Sequence, residues 1–262
     1  MLGTKATLRI SQELSILTLV FLMGTLSSLT AQTFQARTIE IDGQRFIYRV
    51  YVPADWSADR QWPVILFLHG AGERGKDGIE QTTVGLGPQI LQNPSRFPAI
   101  VVMPQCRTGV FWNDPLMEKV ALGSLQQATE EFNGDPRRTY LMGLSMGGYG
   151  TFGLAQKFPK RFAAYVPVCG GVVWRGQTAQ GNASGDPYAE AARRIGKAPF
   201  WIFHGDQDSR VPVTESRRMA AALKDVGAEV RYTEYEGVGH NSWDKAYAEP
   251  ELMNWMLSKS LP

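Results

Sequence analysis

A serine between two glycines, at the junction of a strand and a helix, is the feature of this sequence that most restricts its fold. Residues 140–144 form a short apolar run typical of a buried strand, the pattern Gly143-x-Ser145-x-Gly147 follows, and helical periodicity begins there. Such a turn lifts the serine hydroxyl above the end of a sheet, and the flanking glycines leave room for the neighbouring backbone. Ser145 is therefore a candidate nucleophile, and the backbone N–H of Met146 is a candidate donor to an oxyanion.

The other apolar runs alternate with helical patterns, which is the order that produces a parallel sheet. Hydrophobicity alternates at 37–42 and 46–52 around the turn signal Asp42-Gly43, and this predicts an opening antiparallel hairpin. We expect buried strands at 63–68, 98–104, 140–144, 162–168, 199–203 and 229–235, helices at 115–132, 147–158, 213–226 and 246–258, and a long loop at 170–187. The prediction is one α/β domain, with a mostly parallel twisted sheet and helices on both faces.

Composition and charge exclude several classes of function. The 262 residues carry a formal net charge of +2, and no run of Lys and Arg is longer than two, so we expect no nucleic-acid partner. Cys106 and Cys169 have no metal-ligand spacing. They follow strands that are not neighbours in the predicted sheet, so we favour two free thiols over a disulfide.

The first 31 residues have the order of a secretory signal peptide. Lys5 and Arg9 precede an apolar stretch at 14–26, and small residues follow up to Ala31. This stretch is shorter than a membrane-spanning helix requires, although an uncleaved anchor or a buried helix is the alternative. We expect residues 1–31 to be removed and residues 32–262 to form a single catalytic domain. The protein would then be secreted or periplasmic, with no stable membrane span after processing.

Polar residues that follow different parallel strands should meet at one edge of the sheet. Ser145, Asp208 and His240 all follow predicted strands, and they occur in the order Ser, Asp, His. An imidazole can take the serine proton and return it to a leaving group, while the carboxylate orients the imidazole. Asp206 is the alternative acid. We favour Asp208 because its place one turn before residues 211–213 lets it face the base.

The two remaining histidines are interpreted as structural. His69 and His204 each precede a glycine after a strand, and we interpret both as structural side chains that bond nearby backbone.

The glycine-rich loop after residues 63–68 should supply the second oxyanion donor. Our first choice is the backbone N–H of Ala71, and Gly72 is the alternative.

Three tryptophans are candidates to line a substrate pocket: Trp112, Trp174 and Trp243. Packing in the core is the ordinary role of this side chain. Trp112 and Trp243 are retained as substrate-binding residues because both should lie near strand ends.

Four segments together resemble the α/β-hydrolase superfamily: 67–75, 143–150, 204–213 and 237–243. Within it they are similar to the small phospholipase/carboxylesterase and dienelactone-hydrolase-like group, especially secreted esterases related to feruloyl and polyhydroxyalkanoate-depolymerase-like enzymes. The resemblance implies ester hydrolysis without a cofactor, on short-chain, feruloyl-type or sugar esters, either small or linked to a polysaccharide. Dienelactone hydrolases proper use a cysteine nucleophile, so Ser145 argues against lactone ring opening of that type.

Two other functions are weighed against ester hydrolysis. Peptidases that resemble prolyl oligopeptidases share this fold and triad, but they carry a large extra domain for which residues 170–187 are too short. A non-catalytic binding protein of the same fold would normally have lost the serine, the histidine or the acid, and all three are present here.

Overall fold

An eight-stranded sheet forms the centre of the computed structural model, which describes residues 34–173 and 185–262. The strands are β1 (Phe34–Ile41), β2 (Gln44–Tyr51), β3 (Trp62–Leu68), β4 (Ile100–Pro104), β5 (Gly134–Leu144), β6 (Ala164–Val168), β7 (Phe200–Gly205) and β8 (Val230–Tyr235). Their spatial order is β1-β2-β4-β3-β5-β6-β7-β8. β1 and β2 form an antiparallel hairpin, β2 joins β4 antiparallel, and every other neighbouring pair is parallel. The predicted sheet and its opening hairpin are confirmed.

Helices cover both faces of this sheet. They are α1 (Leu86–Gln92), α2 (Pro115–Glu131), α3 (Met146–Lys157), α4 (Pro187–Ile195), α5 (Thr214–Asp225), α6 (Trp243–Ala248) and α7 (Leu252–Leu257). Helices α2 to α5 contribute to one buried apolar cluster, and α1, α6 and α7 contribute to the other. In the described part of the chain, no helix is long and apolar enough to cross a lipid bilayer.

Strand β3 shows why the central strands are apolar throughout. All of its residues are buried. Val64, Leu66 and Leu68 point into one cluster, whereas Ile65 and Phe67 point into the other. Because successive side chains of a strand face opposite sides, a strand covered on both faces needs apolar residues at every position.

The prediction of one continuous C-terminal helix at 246–258 is wrong. The structure has two short helices there, α6 and α7, separated by residues 249–251, which include Pro250. Proline lacks the backbone N–H that helix continuation needs, and its ring clashes with the preceding turn. The apolar residues on both sides of the break still pack on the sheet, which is why the pattern resembled one helix.

The structure also contains two helices that the sequence analysis did not predict, α1 and α4. Helix α4 begins at Pro187, the last residue of the loop predicted at 170–187, and residues 174–184 of that loop lie outside the described residues. The side chain of Asp186 caps α4 by accepting the N–H of Tyr188 at 3.0 Å. An acidic cap followed by proline at the first helical position was the available sequence signal.

Both cysteines are free and buried, as predicted. Cys106 belongs to one apolar cluster and Cys169 to the other, so the sheet separates them. Burial raises the pKa of the Cys106 thiol to about 12 and raises that of Cys169 further. Both thiols are therefore protonated at neutral pH.

Candidate active site

Ser145 lies in a sharp turn between β5 and α3, with φ of 51° and ψ of −114°. Its backbone N–H donates to the carbonyl of Val168 at 2.8 Å, and its own carbonyl accepts the N–H of Tyr149 at 3.1 Å. A left-handed φ in a residue other than glycine costs about 1–3 kcal/mol, so it persists only where surrounding contacts enforce it. Here the two backbone hydrogen bonds tie the turn to β6 and to the first turn of α3.

Gly143 and Gly147, on either side of Ser145, lie in direct contact with neighbouring backbone carbonyl groups. A Cβ at Gly147 would overlap the carbonyl oxygen of Leu68 and lie 2.5 Å from its carbonyl carbon. A Cβ at Gly143 would lie 2.5 Å from the carbonyl carbon of Gly147. Helix α3 therefore begins in direct contact with the end of β3, and this contact sets the height of the serine above the sheet.

The structure brings Ser145, His240 and Asp208 into one chain of hydrogen bonds. Ser145 Oγ lies 2.9 Å from His240 Nε2, and His240 Nδ1 lies 2.7 Å from Asp208 Oδ2. The second carboxylate oxygen of Asp208 accepts the backbone N–H groups of Arg210 at 2.8 Å and Val211 at 2.9 Å. The three side chains come from the loops after β5, β7 and β8, which end at the same edge of the sheet.

The Asp208 side chain is fully buried, and it remains ionised. Burial opposes its charge, but hydrogen bonds from His204 and His240 and from the backbone outweigh that cost and hold the pKa of Asp208 well below its usual value. A carboxylate next to Nδ1 fixes the tautomer of His240, with the lone pair of Nε2 directed at the serine. It also stabilises the imidazolium that forms when Nε2 takes a proton.

His204 makes a contact that the sequence analysis missed. It bonds nearby backbone as predicted, through Nε2 at 3.1 Å from the carbonyl of Val211, but Nε2 also lies 3.2 Å from Asp208 Oδ2. Both of these oxygens only accept, so Nε2 carries the proton, and the hydroxyl of Ser216 donates to Nδ1 at 2.7 Å. His204 thus holds the same carboxylate oxygen of the acid that His240 Nδ1 contacts. The spacing of His204 and Asp208 at the end of one strand was the available signal.

His69 has the structural role that its sequence position indicated. Its Nδ1 lies 2.6 Å from the carbonyl of Gly70, and its Nε2 accepts the backbone N–H of Cys106 at 2.9 Å. Burial lowers the pKa of His69 to about 4, so the ring is neutral at neutral pH. It joins the ends of β3 and β4 beneath the loop that leads to Ala71.

Trp112 does not line the site, and its predicted contact with substrate is wrong. Only 1% of the residue is exposed. Its indole N–H donates to the carbonyl of His69 at 2.9 Å, and the two rings meet edge to face at 5.0 Å. The expectation that Trp112 lies near a strand end is correct, but the side chain packs into the core.

Asp206, the alternative acid, braces the loop that carries His240. Its carboxylate accepts the backbone N–H of Gly237 at 2.8 Å, and its own backbone N–H donates to Tyr235 at 3.1 Å. Asp206 therefore joins the end of β7 to the end of β8, while Asp208 makes the contact with the imidazole.

A cavity of about 560 Å³ opens above Ser145. Its wall is formed by Gly70, Ala71, Gly72, Glu73, Val84, Leu144, Ser145, Arg210, Val211, His240 and Trp243. Trp243 stands edge to face with His240, at 5.4 Å between ring centroids. Of the two tryptophans retained from the sequence, Trp243 is the one in the cavity wall. Trp174 lies outside the described residues.

Both proposed oxyanion donors are near this cavity. Met146 is the first residue of α3, where a backbone N–H has no acceptor within its own helix. Ala71 and Gly72 both line the cavity from the loop after β3. The choice between them as the second donor stays a prediction.

One group among the described residues has the spacing of a metal site. The ligand atoms of Cys169, Asp208 and His240 lie within 4.8 Å of one another. Asp208 and His240 already bond each other, and burial raises the pKa of Cys169, which opposes the thiolate that a metal would need. This arrangement favours a hydrogen-bonded chain over metal binding.

The fold and the site together define an α/β-hydrolase, with a serine on a strand-to-helix turn and an acid and a histidine after later strands. The chain belongs to the Esterase family, whose model, described as "Putative esterase", matches residues 40–249. A crystal structure of a thermostable esterase is similar over 88% of this chain, with 35% sequence identity and a TM-score of 0.75. The chain spans 64% of the length of that protein.

Two more distant structures share the fold. The acylaminoacyl peptidase of Pyrococcus horikoshii has 18% identity and a TM-score of 0.65, over 87% of this chain and 42% of that one. A ferulic acid esterase has 17% identity and a TM-score of 0.63, over 86% of this chain and 97% of that one. None of the curated proteins compared with the chain matches it.

Proposed function

We propose that this protein is a carboxylesterase-type serine hydrolase that cleaves short-chain, feruloyl-type or sugar esters through an acyl-enzyme. The observation that carries the proposal is the chain of hydrogen bonds from Ser145 Oγ to His240 at 2.9 Å and from His240 to Asp208 at 2.7 Å. Membership of the esterase family and the likeness to a thermostable esterase support an ester as the substrate.

The first half of the proposed reaction forms the acyl-enzyme. Ser145 Oγ attacks the ester carbonyl carbon while His240 Nε2 takes the hydroxyl proton. The negative charge on the former carbonyl oxygen is bound by the N–H of Met146 and by that of Ala71 or Gly72. His240 then gives its proton to the departing alcohol, which leaves the acyl group on Ser145.

Water completes the proposed reaction. The oxygen of the water attacks the acyl carbon while His240 takes a proton from that water. The same backbone N–H groups bind the oxyanion of this second tetrahedral intermediate. Collapse releases the carboxylic acid, and His240 returns the proton to Ser145 Oγ. Asp208 stays ionised throughout and stabilises each imidazolium. The chain's own groups supply every proton transfer, so the reaction requires no cofactor.

The cavity supports a small ester as the substrate. Its volume of about 560 Å³ is within the range of pockets for small molecules. Trp243 offers an aromatic surface beside His240, which suits a feruloyl ring or the apolar face of a sugar.

Paired substrates test ester hydrolysis against the peptidase alternative. The support for that alternative is limited to the fold shared with the acylaminoacyl peptidase. We expect turnover of p-nitrophenyl acetate and of at least one feruloyl or acetylated-sugar ester. An N-acetyl-aminoacyl p-nitroanilide should be cleaved at least about 100-fold less efficiently, because its amide needs stronger leaving-group protonation than the ester does. Release of nitrophenol and nitroaniline is measured at 405 nm. Efficient anilide cleavage without ester cleavage would contradict the proposal.

We also propose that residues 1–31 direct export and are then removed. The support is the sequence order of Lys5 and Arg9, the apolar stretch at 14–26 and the small residues up to Ala31. N-terminal sequencing of active protein from the periplasm or the medium should give a start near residue 32. Active protein that retains Met1 in the cytoplasm would refute this.

A further inference from the structure

Glu73 is a buried carboxyl group in the cavity wall that the proposed reaction does not use. Only 9% of the residue is exposed. Its Oε2 has no hydrogen-bond partner among the described residues. A buried polar atom without a partner is costly to keep, so its presence at a ligand cavity points to a donor that the ligand supplies.

Gly70 places this carboxyl group beside the nucleophile. A Cβ at Gly70 would lie 3.0 Å from Glu73 Oε2 and 3.7 Å from Ser145 Cβ. The same Cβ would lie 2.8 Å from Leu144 Cδ1, so the gap exists because residue 70 has no side chain. Glu73 Oε2 is therefore within reach of a substrate group attached close to the scissile carbonyl.

Two opposing effects act on the charge of the Glu73 carboxyl group. Burial raises the pKa of Glu73, whereas hydrogen bonds from the backbone amides of Gly70 and Glu73 favour the charged form. The neighbouring Arg74 does not neutralise it, because its guanidinium donates to the carbonyls of Ala71 at 2.9 Å and Val110 at 3.3 Å. Glu73 Oε2 is thus an acceptor without a partner among the described residues.

We propose, on the basis of the ester hydrolysis proposed above, that Glu73 determines specificity by accepting a hydrogen bond from a substrate hydroxyl near the scissile carbonyl. The hydroxyl belongs to the acyl or to the alcohol part, so the preferred substrates are hydroxylated esters and not plain alkyl esters. A substrate without the hydroxyl leaves the carboxylate buried and unpaired, which lowers the rate.

A hydroxyl fits this cavity better than an ammonium group, the other donor that a carboxylate accepts. Arg210 also lines the cavity, and its positive charge opposes a second cation. An ammonium group would in addition lose far more hydration free energy on entering the cavity than a hydroxyl.

Two matched substrate pairs test the inference through kcat/KM. Acyl hydroxyls are tested with p-nitrophenyl 3-hydroxybutyrate against p-nitrophenyl butyrate, and alcohol hydroxyls with glyceryl monoacetate against propyl acetate. The wild-type protein should prefer the hydroxylated member of at least one pair by about 10- to 100-fold, the strength of a hydrogen bond to a charged acceptor. Glu73→Leu should remove the preference, and Glu73→Gln, whose amide oxygen still accepts, should retain part of it. Glu40→Gln is the matched control, since Glu40 is exposed on β1 and outside the cavity wall, and it should keep the wild-type preference.

Three results would overturn the role of Glu73. They are equal kcat/KM within both pairs for the wild type, an equal loss on both members in the Glu73 variants, and a stronger preference for p-nitrophenyl 4-aminobutyrate. If Glu73→Leu fails to fold by circular dichroism, Glu73→Gln decides. Turnover without preference contradicts only the inference, whereas a wild type inactive on all four esters contradicts the proposed function itself.

Discussion

Replacement of Ser145 by alanine is expected to lower kcat for p-nitrophenyl acetate by about 10⁴- to 10⁶-fold, because the atom that forms the acyl bond is lost. The fold should remain, since the hydroxyl contributes one hydrogen bond, to His240, and the turn is held by backbone contacts. We therefore expect a melting temperature within about 2 °C of the wild-type value. Initial rates and thermal unfolding of the same preparation provide the measurement.

Ser260→Ala is the matched control for this variant. Ser260 is exposed, and the neighbouring Leu261 donates its backbone N–H to Arg137, at the far end of β5 from Ser145. This variant should keep the wild-type rate. A Ser145→Ala protein that retains a tenth or more of the activity would exclude Ser145 as the nucleophile and would require another catalytic group.

Replacement of Gly147 by alanine should destabilise the protein by about 3–5 kcal/mol, a large part of the stability of an ordinary domain. The added methyl group would overlap the carbonyl group of Leu68, which is backbone at the end of a buried central strand. Neither partner can move without separating α3 from β3. The free energy of unfolding from urea titration, or the yield of soluble protein where folding fails, measures the effect.

Gly153→Ala, in the same helix, should have the opposite effect on stability. A Cβ at Gly153 meets no atom within 4 Å, so alanine should stabilise α3 by about 0.5–1 kcal/mol through its higher helix propensity. Equal melting temperatures for Gly147→Ala and Gly153→Ala would contradict the close contact at Gly147.

The fold was predictable because its central strands are covered on both faces. Such strands form continuous apolar runs, as in β3, and these runs stand out from the helical patterns between them. The place of Ser145, Asp208 and His240 followed from the shared edge of parallel strands. The break at Pro250 was missed because apolar residues on both sides face the same cluster, and only the proline itself marked the end of α6.

The orientation of side chains around the site was less predictable. The sequence places Trp112 near a strand end, but the hydrogen bond from its indole to His69 turns it into the core. His204 bonds backbone as expected, yet its second acceptor is Asp208, four residues further along the chain. Both outcomes depend on how a loop curves after its strand, and this curvature is set by tertiary contacts and not by local pattern.

The hydrogen bonds around Asp208 hold the acid of the site more firmly than the base. The acid is held by two imidazoles and two backbone amides, whereas His240 lies on a loop beside Gly239 and bonds to Asp208 and Ser145. Asp208 is therefore held more firmly than the imidazole of His240, whose ring has two hydrogen bonds, to Asp208 and Ser145. In the proposed reaction one base serves two oxygens, that of the serine and that of the departing alcohol, and an acid fixed by four hydrogen bonds keeps that base in the same tautomer for both proton transfers.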